Sequence, residues 1–429
     1  QQNWSLLDSC SSWDAFAMAV HGPPHLQPTV GDLPHPAAGL LASIHDHGVP
    51  VLFDDPDWTL EELDAAVEQG CNFSAMEHKE FIADEMLEFG KDGFWTILPY
   101  NRVRALKGLR LSPAQIKEER DRRPRFIADH KSWGVNDHTL PTAPLESMQF
   151  GGALYRLLTE IRHADPKHGP VHMAKYDIKD GFYRIHLRPE HCLKLAIILP
   201  QYDGLPPLVA IPFVLTMGWK NSPPTFCGFS ETACDVAKSR HDQRHEKPHR
   251  LEHLPAPLDN ITVKAPPSSE ELPTRPTSQI CSNASASPRD GHSGDSTVTT
   301  TVSRPLVQLQ SALSAPPLAA THRVRSDPLS YIDVFVDDFI ALCQGSKHRL
   351  TTVRRILLHT VDDFLKSPLQ HPKAKEPLSL KKLSNGDASW DTVKTVLGWL
   401  IDSIAQTLSL PDHNFDGGRD RIVPLSSTD

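Results

Sequence analysis

Residues 331–342, YIDVFVDDFIAL, place two adjacent aspartates, Asp337 and Asp338, inside a run that is otherwise β-branched, aromatic and aliphatic. A buried strand does not carry charge through its middle, because an unpaired carboxylate in apolar surroundings is strongly disfavoured or takes up a proton instead. The run therefore reads as two short strands, YIDVF and FIAL, with Val336, Asp337 and Asp338 at or beside the tip of a hairpin. Adjacent carboxylates repel unless a cation lies close, and a hard cation such as Mg²⁺ takes oxygen ligands. An ordinary acidic turn would carry the same letters, so the pair gains meaning only from a partner elsewhere.

AKYDIKDGFYRIHL, residues 174–187, supplies that partner by setting Asp177 at the end of an apolar strand, followed by Asp180, Phe182 and Tyr183. Two strands that each deliver an aspartate to one sheet edge permit a two-ion site. One ion activates an attacking hydroxyl and the other holds a triphosphate and its leaving group. Whether Asp177 meets Asp337 is a question of geometry that spacing does not answer.

The chain has 429 residues, enough for two or three domains. Residues 1–58 are rich in Pro, His and Gly and lack periodicity, so a loosely ordered lead-in is expected. Thr59 and Glu62 form a capping box that opens a helix ended by Gly70. A second helix over 76–89 and an extended FWTILPY at 94–100 complete a unit spanning 59–140. Within 141–238, strands are expected at 174–178 and 193–199, after one at 125–129. Helices are expected over 150–163 and over 223–238, the latter with Ser222 as N-cap and Pro223 at its first position. Residues 239–328 are dense in Pro, Ser, Thr and charge, a composition that cannot offset its ordering entropy, and read as a disordered insertion. Order resumes over 329–411 with the opening hairpin, a helix around 350–365 and TVLGWLID at 395–402; 412–429 is a tail.

No apolar run approaches the roughly 20 residues of a membrane-spanning helix. No basic-then-apolar leader follows Gln1, so the chain reads as a soluble, intracellular piece of something longer, cytoplasmic or nuclear. Seven scattered cysteines without C-x-x-C spacing point to free thiols. The net charge of −9 is uneven: residues 1–100 hold 17 acidic residues against Lys79 and Lys91 alone. Between Arg102 and Lys131 lie ten basic residues and four acidic ones, a stripe suited to phosphate, although a solvated helix face is the commoner fate of such a run. His241, His245, His249 and His253 recur at metal-ligand spacing, but Pro248 interrupts any helix through them, and a solvated start to the insertion is the preferred reading.

In order, KYDIKDGFYRI, MGWKNSPPTF (217–226) and FVDDFI (335–340) resemble the palm of reverse transcriptases, most closely those of retrotransposons. The resemblance covers about residues 94–411, broken by the insertion. It implies an α+β right-hand fold with fingers and palm, an antiparallel palm sheet flanked by helices, and a thumb truncated or absent. By that resemblance Asp177, Asp337 and Asp338 are the metal-binding catalytic residues, with Phe335 standing where many members have tyrosine. RRPRFIADHKSWGVNDHTLP (122–141) is similar to the fingers segment that holds the triphosphate, which gives nucleotide-binding roles to Arg125 and Arg123. Gly218 corresponds to a glycine that admits backbone to the nucleotide, with Met217 in place of the glutamine of retroviral members. Phe182 corresponds to the aromatic that excludes a ribose 2′-hydroxyl, although a core aromatic would read the same. Lys382, with Lys381 as the alternative, matches the palm lysine, and Leu397, Gly398 and Trp399 resemble the primer grip.

The implied activity is RNA-directed DNA synthesis with two Mg²⁺ ions, Mn²⁺ substituting, on an RNA or DNA template-primer with dNTPs. The rival readings are an inactive retroelement relic that only binds nucleic acid, and another palm-type metal enzyme such as a nucleotide cyclase or a DNA-templated polymerase.

Overall fold

A computed structural model describes residues 2–20, 24–119, 122–143, 147–241, 247–254, 326–370, 374–411 and 423–424. Most of the expected insertion and tail lies outside them. The described strands are β1 (Trp95–Pro99), β2 (Leu111–Glu119), β3 (Arg122–Ala128), β4 (His172–Asp177), β5 (Ala196–Ile198), β6 (Leu208–Pro212), β7 (Ser330–Phe335), β8 (Asp338–Cys343), β9 (Val393–Val396), β10 (Trp399–Asp402), β11 (Thr407–Ser409) and β12 (Val423–Pro424). They form a five-stranded sheet in the order β1-β6-β5-β2-β3, a three-stranded sheet β4-β8-β7 and a four-stranded sheet β12-β11-β10-β9. The fold is mixed α/β, and every described strand pair is antiparallel except β2 with β5.

The three-stranded sheet is covered on both faces, which is why its strands read as nearly continuous apolar runs. On one side Tyr176, Ile332, Val334, Phe339 and Ala341 join a core with Phe226 and Phe229 of the helix Ser222–Ser239 and Leu357 and Val361 of the helix Lys347–Phe364. On the other, Met173, Ile340 and Leu342 pack with Leu154, Leu157 and Ile161 of the helix Ala153–His163. Each fully buried Phe, Ile or Leu contributes about 1.5–3 kcal/mol.

Four expectations are corrected. Residues 1–58 are not a loose lead-in: Phe16, Val30, Leu41, Val49 and Val51 are buried in the main core, and Trp13 donates its indole N–H to the Pro189 carbonyl at 3.0 Å. Residues 193–199 are not one strand, because Pro189–Leu195 winds as a 3₁₀ helix that buries Cys192, Leu193 and Leu195 before β5 begins. Ser222 is the first helical residue rather than the cap. Pro223 and Pro224 have no N–H for a cap to satisfy, and the Asn221 amide instead donates to the Leu140 carbonyl at 2.8 Å. Residues 247–254 of the expected insertion are ordered: Arg250 straddles Asp362 and Glu376, and Glu252 accepts from Arg355 Nε and Nη2 at 2.7 and 2.9 Å.

Other elements match with shifted ends. The Thr59–Glu62 capping box is present and Gly70 closes its helix. The single helix expected over 76–89 is two, Phe73–Glu77 and Lys79–Lys91. The later helix starts at Lys347, capped by Ser346.

Gly218 fixes how the five-stranded sheet meets the chain leading to the helix Ser222–Ser239. Its φ is +107°, and a Cβ there would stand 1.9 Å from the Ala128 carbonyl oxygen, while the Ala128 N–H donates to the Met217 carbonyl at 3.0 Å. Gly218→Ala is expected to cost at least about 3 kcal/mol in urea unfolding, from left-handed strain plus backbone overlap. Gly70→Ala, where φ is +78° but a Cβ meets nothing within 4 Å, should cost only about 1 kcal/mol.

Candidate metal centre

Backbone pairing builds the centre. In the β4–β8 ladder Asp177 stands opposite Asp338, and in the β7–β8 ladder Phe335 stands opposite Asp338. Val336 and Asp337 are the two-residue turn between β7 and β8, with Val336 at φ +59°. That conformation is strained for a β-branched side chain. The Ile178 N–H donates to the Asp337 carbonyl at 2.9 Å, which ties the turn to the end of β4. Each of Asp177, Asp337 and Asp338 thereby offers a carboxylate oxygen within 4.8 Å of the others.

Below the turn Asp333 is 2% exposed and compensated: Arg156 donates from Nε and Nη2 at 2.8 Å each, and the Tyr331 hydroxyl donates at 3.0 Å. The charge at the tip has less relief. Burial, then the carboxylates of Asp338 and Asp177, push the Asp337 pKa up to about 7. Burial also raises Asp177, against the pull of Lys382 and with a further push from Asp338. Lys382 Nζ sits 2.5 Å from Asp177 Oδ1. It arrives there because Lys179 and Ser379 donate backbone hydrogen bonds to the Pro377 and Asp177 carbonyls, at 2.8 and 3.0 Å, just ahead of the helix Leu380–Ser384. Three carboxylates with one ammonium leave negative charge in excess, and hard oxygen donors in this number suit a divalent cation.

Past Asp177 the chain runs through Lys179 and Asp180 into a cleft of about 740 Å³, which Arg123, Arg125, Met217 and Lys375 also line. The structure thus brings together the three aspartates and Lys382, and sets Arg123 and Arg125 in the cleft that opens at Lys179, whose walls include neither those aspartates nor Lys382. Gly218 serves the contact of Met217 with β3 described above. Phe182 is half-buried and lies edge-on to Phe226 at 5.5 Å; Tyr183, not Phe182, lines the cleft.

Leu397 and Gly398 form the tip of the β9–β10 hairpin, with φ +52° and +85°. Trp399 is 5% exposed and packs with Leu154, Leu157 and Leu342, so its ring is a core group and the hairpin tip is formed by Leu397 and Gly398. The histidines expected at metal-ligand spacing do not converge: His249 pairs with Asp362 at 3.0 Å, His253 joins no cluster among the described residues, and His245 lies outside them. The other described cluster of potential ligands, Asp54, Asp55 and His138, has Asp55 already engaged by Arg110 at 2.7 and 2.9 Å.

The basic stripe is also corrected. β2 and β3 lie within it and pair antiparallel, and β3 takes in the strand expected from Arg125. Four of its arginines end on carboxylates of the acidic front segment: Arg102 on Asp8, Arg104 on Asp64, Arg110 on Asp55 and Arg123 on Glu85. Sequence reasoning missed these partners, and it missed Lys375 in the cleft. The regular spacing of Glu85, Glu88 and Asp92 was the available signal. A comparison with protein families and with curated proteins finds no match for this chain.

Unfolded, the Asp337 carboxyl ionises near 3.8; folded, near 7. Between these values the folded state holds the extra proton, so this group's contribution to stability is full below about pH 4 and is lost as pH rises through 7. Asp337→Asn is therefore expected to raise the melting temperature in EDTA, by more at pH 8 than at pH 5. Millimolar Mg²⁺ should stabilise the wild type and leave the variant unmoved. Equal melting temperatures for the two proteins across that range would contradict the charge convergence.

Proposed function

We propose that the protein is a template-directed DNA polymerase of reverse-transcriptase type, joining dNTPs to a primer on an RNA template. The observation that carries this reading is the meeting of Asp177, Asp337 and Asp338 at one end of an antiparallel sheet, from which the chain passes directly into a cleft lined by Lys179, Arg123 and Arg125. The donor set fits Mg²⁺: all three groups are hard carboxylates, and burial, followed by the neighbouring Asp338 and Asp177 carboxylates, raises the proton affinity of Asp337, a cost of its ionised form that a dication would relieve. When bound, two such ions would activate the primer 3′-hydroxyl and offset charge on the triphosphate.

In this reading Asp177 and Asp337 would hold the ions and Asp338 would complete the carboxylate set. Lys382, now on Asp177, would be free to meet the arriving phosphates if that carboxylate held a cation. Arg125, exposed on β3 at the cleft, compensates triphosphate charge. The protein thus positions reactants and supplies fixed charge rather than a covalent group. By the resemblance Phe182 would face the sugar, from its place beside Phe226 rather than from the cleft wall.

Primer extension on matched RNA and DNA templates tests the proposal. Mg²⁺-dependent extension on RNA is expected, and Asp337→Asn should lose about 10³-fold or more in rate, several kcal/mol of transition-state stabilisation. Extension on DNA alone would make the protein a DNA-templated polymerase. Extension on neither, with retained nucleic-acid binding, would leave a non-polymerising relic. Phe182→Val should admit ribonucleotides, and unchanged sugar discrimination would remove that residue from the site.

A further inference from the structure

One wall of the cleft is acidic, and the chemistry above makes no use of it. Glu85 and Glu88 lie on the helix Lys79–Lys91 and Asp92 is its C-cap; all three line the cleft. Their i, i+3, i+7 spacing places them on one helix face. Two cations that reach the cleft from other parts of the fold end on that face. Arg123 of β3 pairs with Glu85, with Glu88 a further 3.9 Å contact, and Lys375 pairs with Asp92.

The pairing is asymmetric. The Glu85 side chain is 11% exposed and that of Arg123 62%, so the carboxylate is fixed in the wall while the guanidinium has room to swing. Arg123 also lies over the Phe81 ring of the same helix at 5.3 Å, and Lys375 over Phe94 at 5.8 Å, contacts that hold each cation close to its carboxylate. The cleft is consequently near neutral, with five cationic and four anionic side chains along it, which is unusual for a pocket expected to take a polyanion.

We propose that Glu85, supported by Glu88 and Asp92, is a resident counter-charge that polyphosphate must displace from Arg123 and Lys375, making it a positioning residue that sets both the affinity and the charge selectivity of the cleft. The inference rests on the polyphosphate-binding reading of that cleft. A triphosphate carries enough charge to draw both cations away from the acidic wall. Pyrophosphate carries less, so the wall recaptures them and product leaves. The acidity of this helix thereby acquires a task in turnover.

Inorganic tripolyphosphate and pyrophosphate, titrated calorimetrically into the full chain at low salt, test this without any need for polymerisation. Glu85→Gln is expected to bind tripolyphosphate about tenfold more tightly, the size of one charged hydrogen bond released. Its preference for tripolyphosphate over pyrophosphate should narrow, and adding Arg123→Gln should abolish the gain. Glu88→Gln and Asp92→Asn should shift affinity the same way by about two- to threefold, and these more exposed sites carry the test if Glu85→Gln does not fold. Unchanged or weaker binding in the variants that fold overturns the proposal. Tighter binding together with no extension on any template would uphold it while removing the polymerase reading. RNA-templated extension with unchanged KM for dNTP and unchanged pyrophosphate inhibition in Glu85→Gln would remove this proposal alone.

Discussion

The antiparallel pairing of β4 with β8 is the constraint on which the rest of the site depends. It sets Asp177 opposite Asp338, and side chains alternate along both strands, so a slip of one residue would turn one carboxylate into the apolar layer. Both faces of the sheet are packed, with Phe339 and Ala341 toward one core and Ile340 and Leu342 toward the other. A slipped register would therefore cost burial on two sides at once. That packing is what holds three mutually repelling carboxylates together, and the strained φ of Val336 is held by the same framework.

A second organising interaction is the matching of the acidic first hundred residues to the basic stretch that follows. Arg110 is 2% exposed, held by Asp55 and lying 3.9 Å over the Phe53 ring. A buried guanidinium of this kind is tolerated only with such a partner. The front segment is thus folded onto the remainder of the described chain through both apolar and ionic contacts, and the net charge of the chain says little about the field at any one cleft.

What was legible in the sequence was local. The Thr59–Glu62 capping box needs only residues three apart, and the β7–β8 hairpin needs only the alternation around Asp337 and Asp338. The juxtaposition of Asp177 with Asp338 entered through family resemblance, since no spacing rule reaches across so long a stretch. The helices Trp13–Val20 and Ala38–His47 escaped notice because each is short and owes its stability to burying Phe16 or Leu41 in a core assembled from distant residues. The burial of Trp399 was out of reach for a related reason: its cover includes Leu154 and Leu157 of the helix Ala153–His163, far back along the chain. The arginine partners Asp8, Asp64 and Glu85 lie 38 to 94 residues from their cations, beyond any local pattern.

The order of strands in the three-stranded sheet also bears on how the protein comes into being. The central strand, β8, is last of the three in the chain, while β4 precedes it by about 160 residues. At a ribosomal pace of about 5–20 residues per second, β4 waits roughly ten to thirty seconds for its neighbour. Throughout that interval its apolar edge is open to any other extended segment. The emerging chain is therefore most exposed to misassembly, and most in need of a chaperone, before residue 338 has left the ribosome.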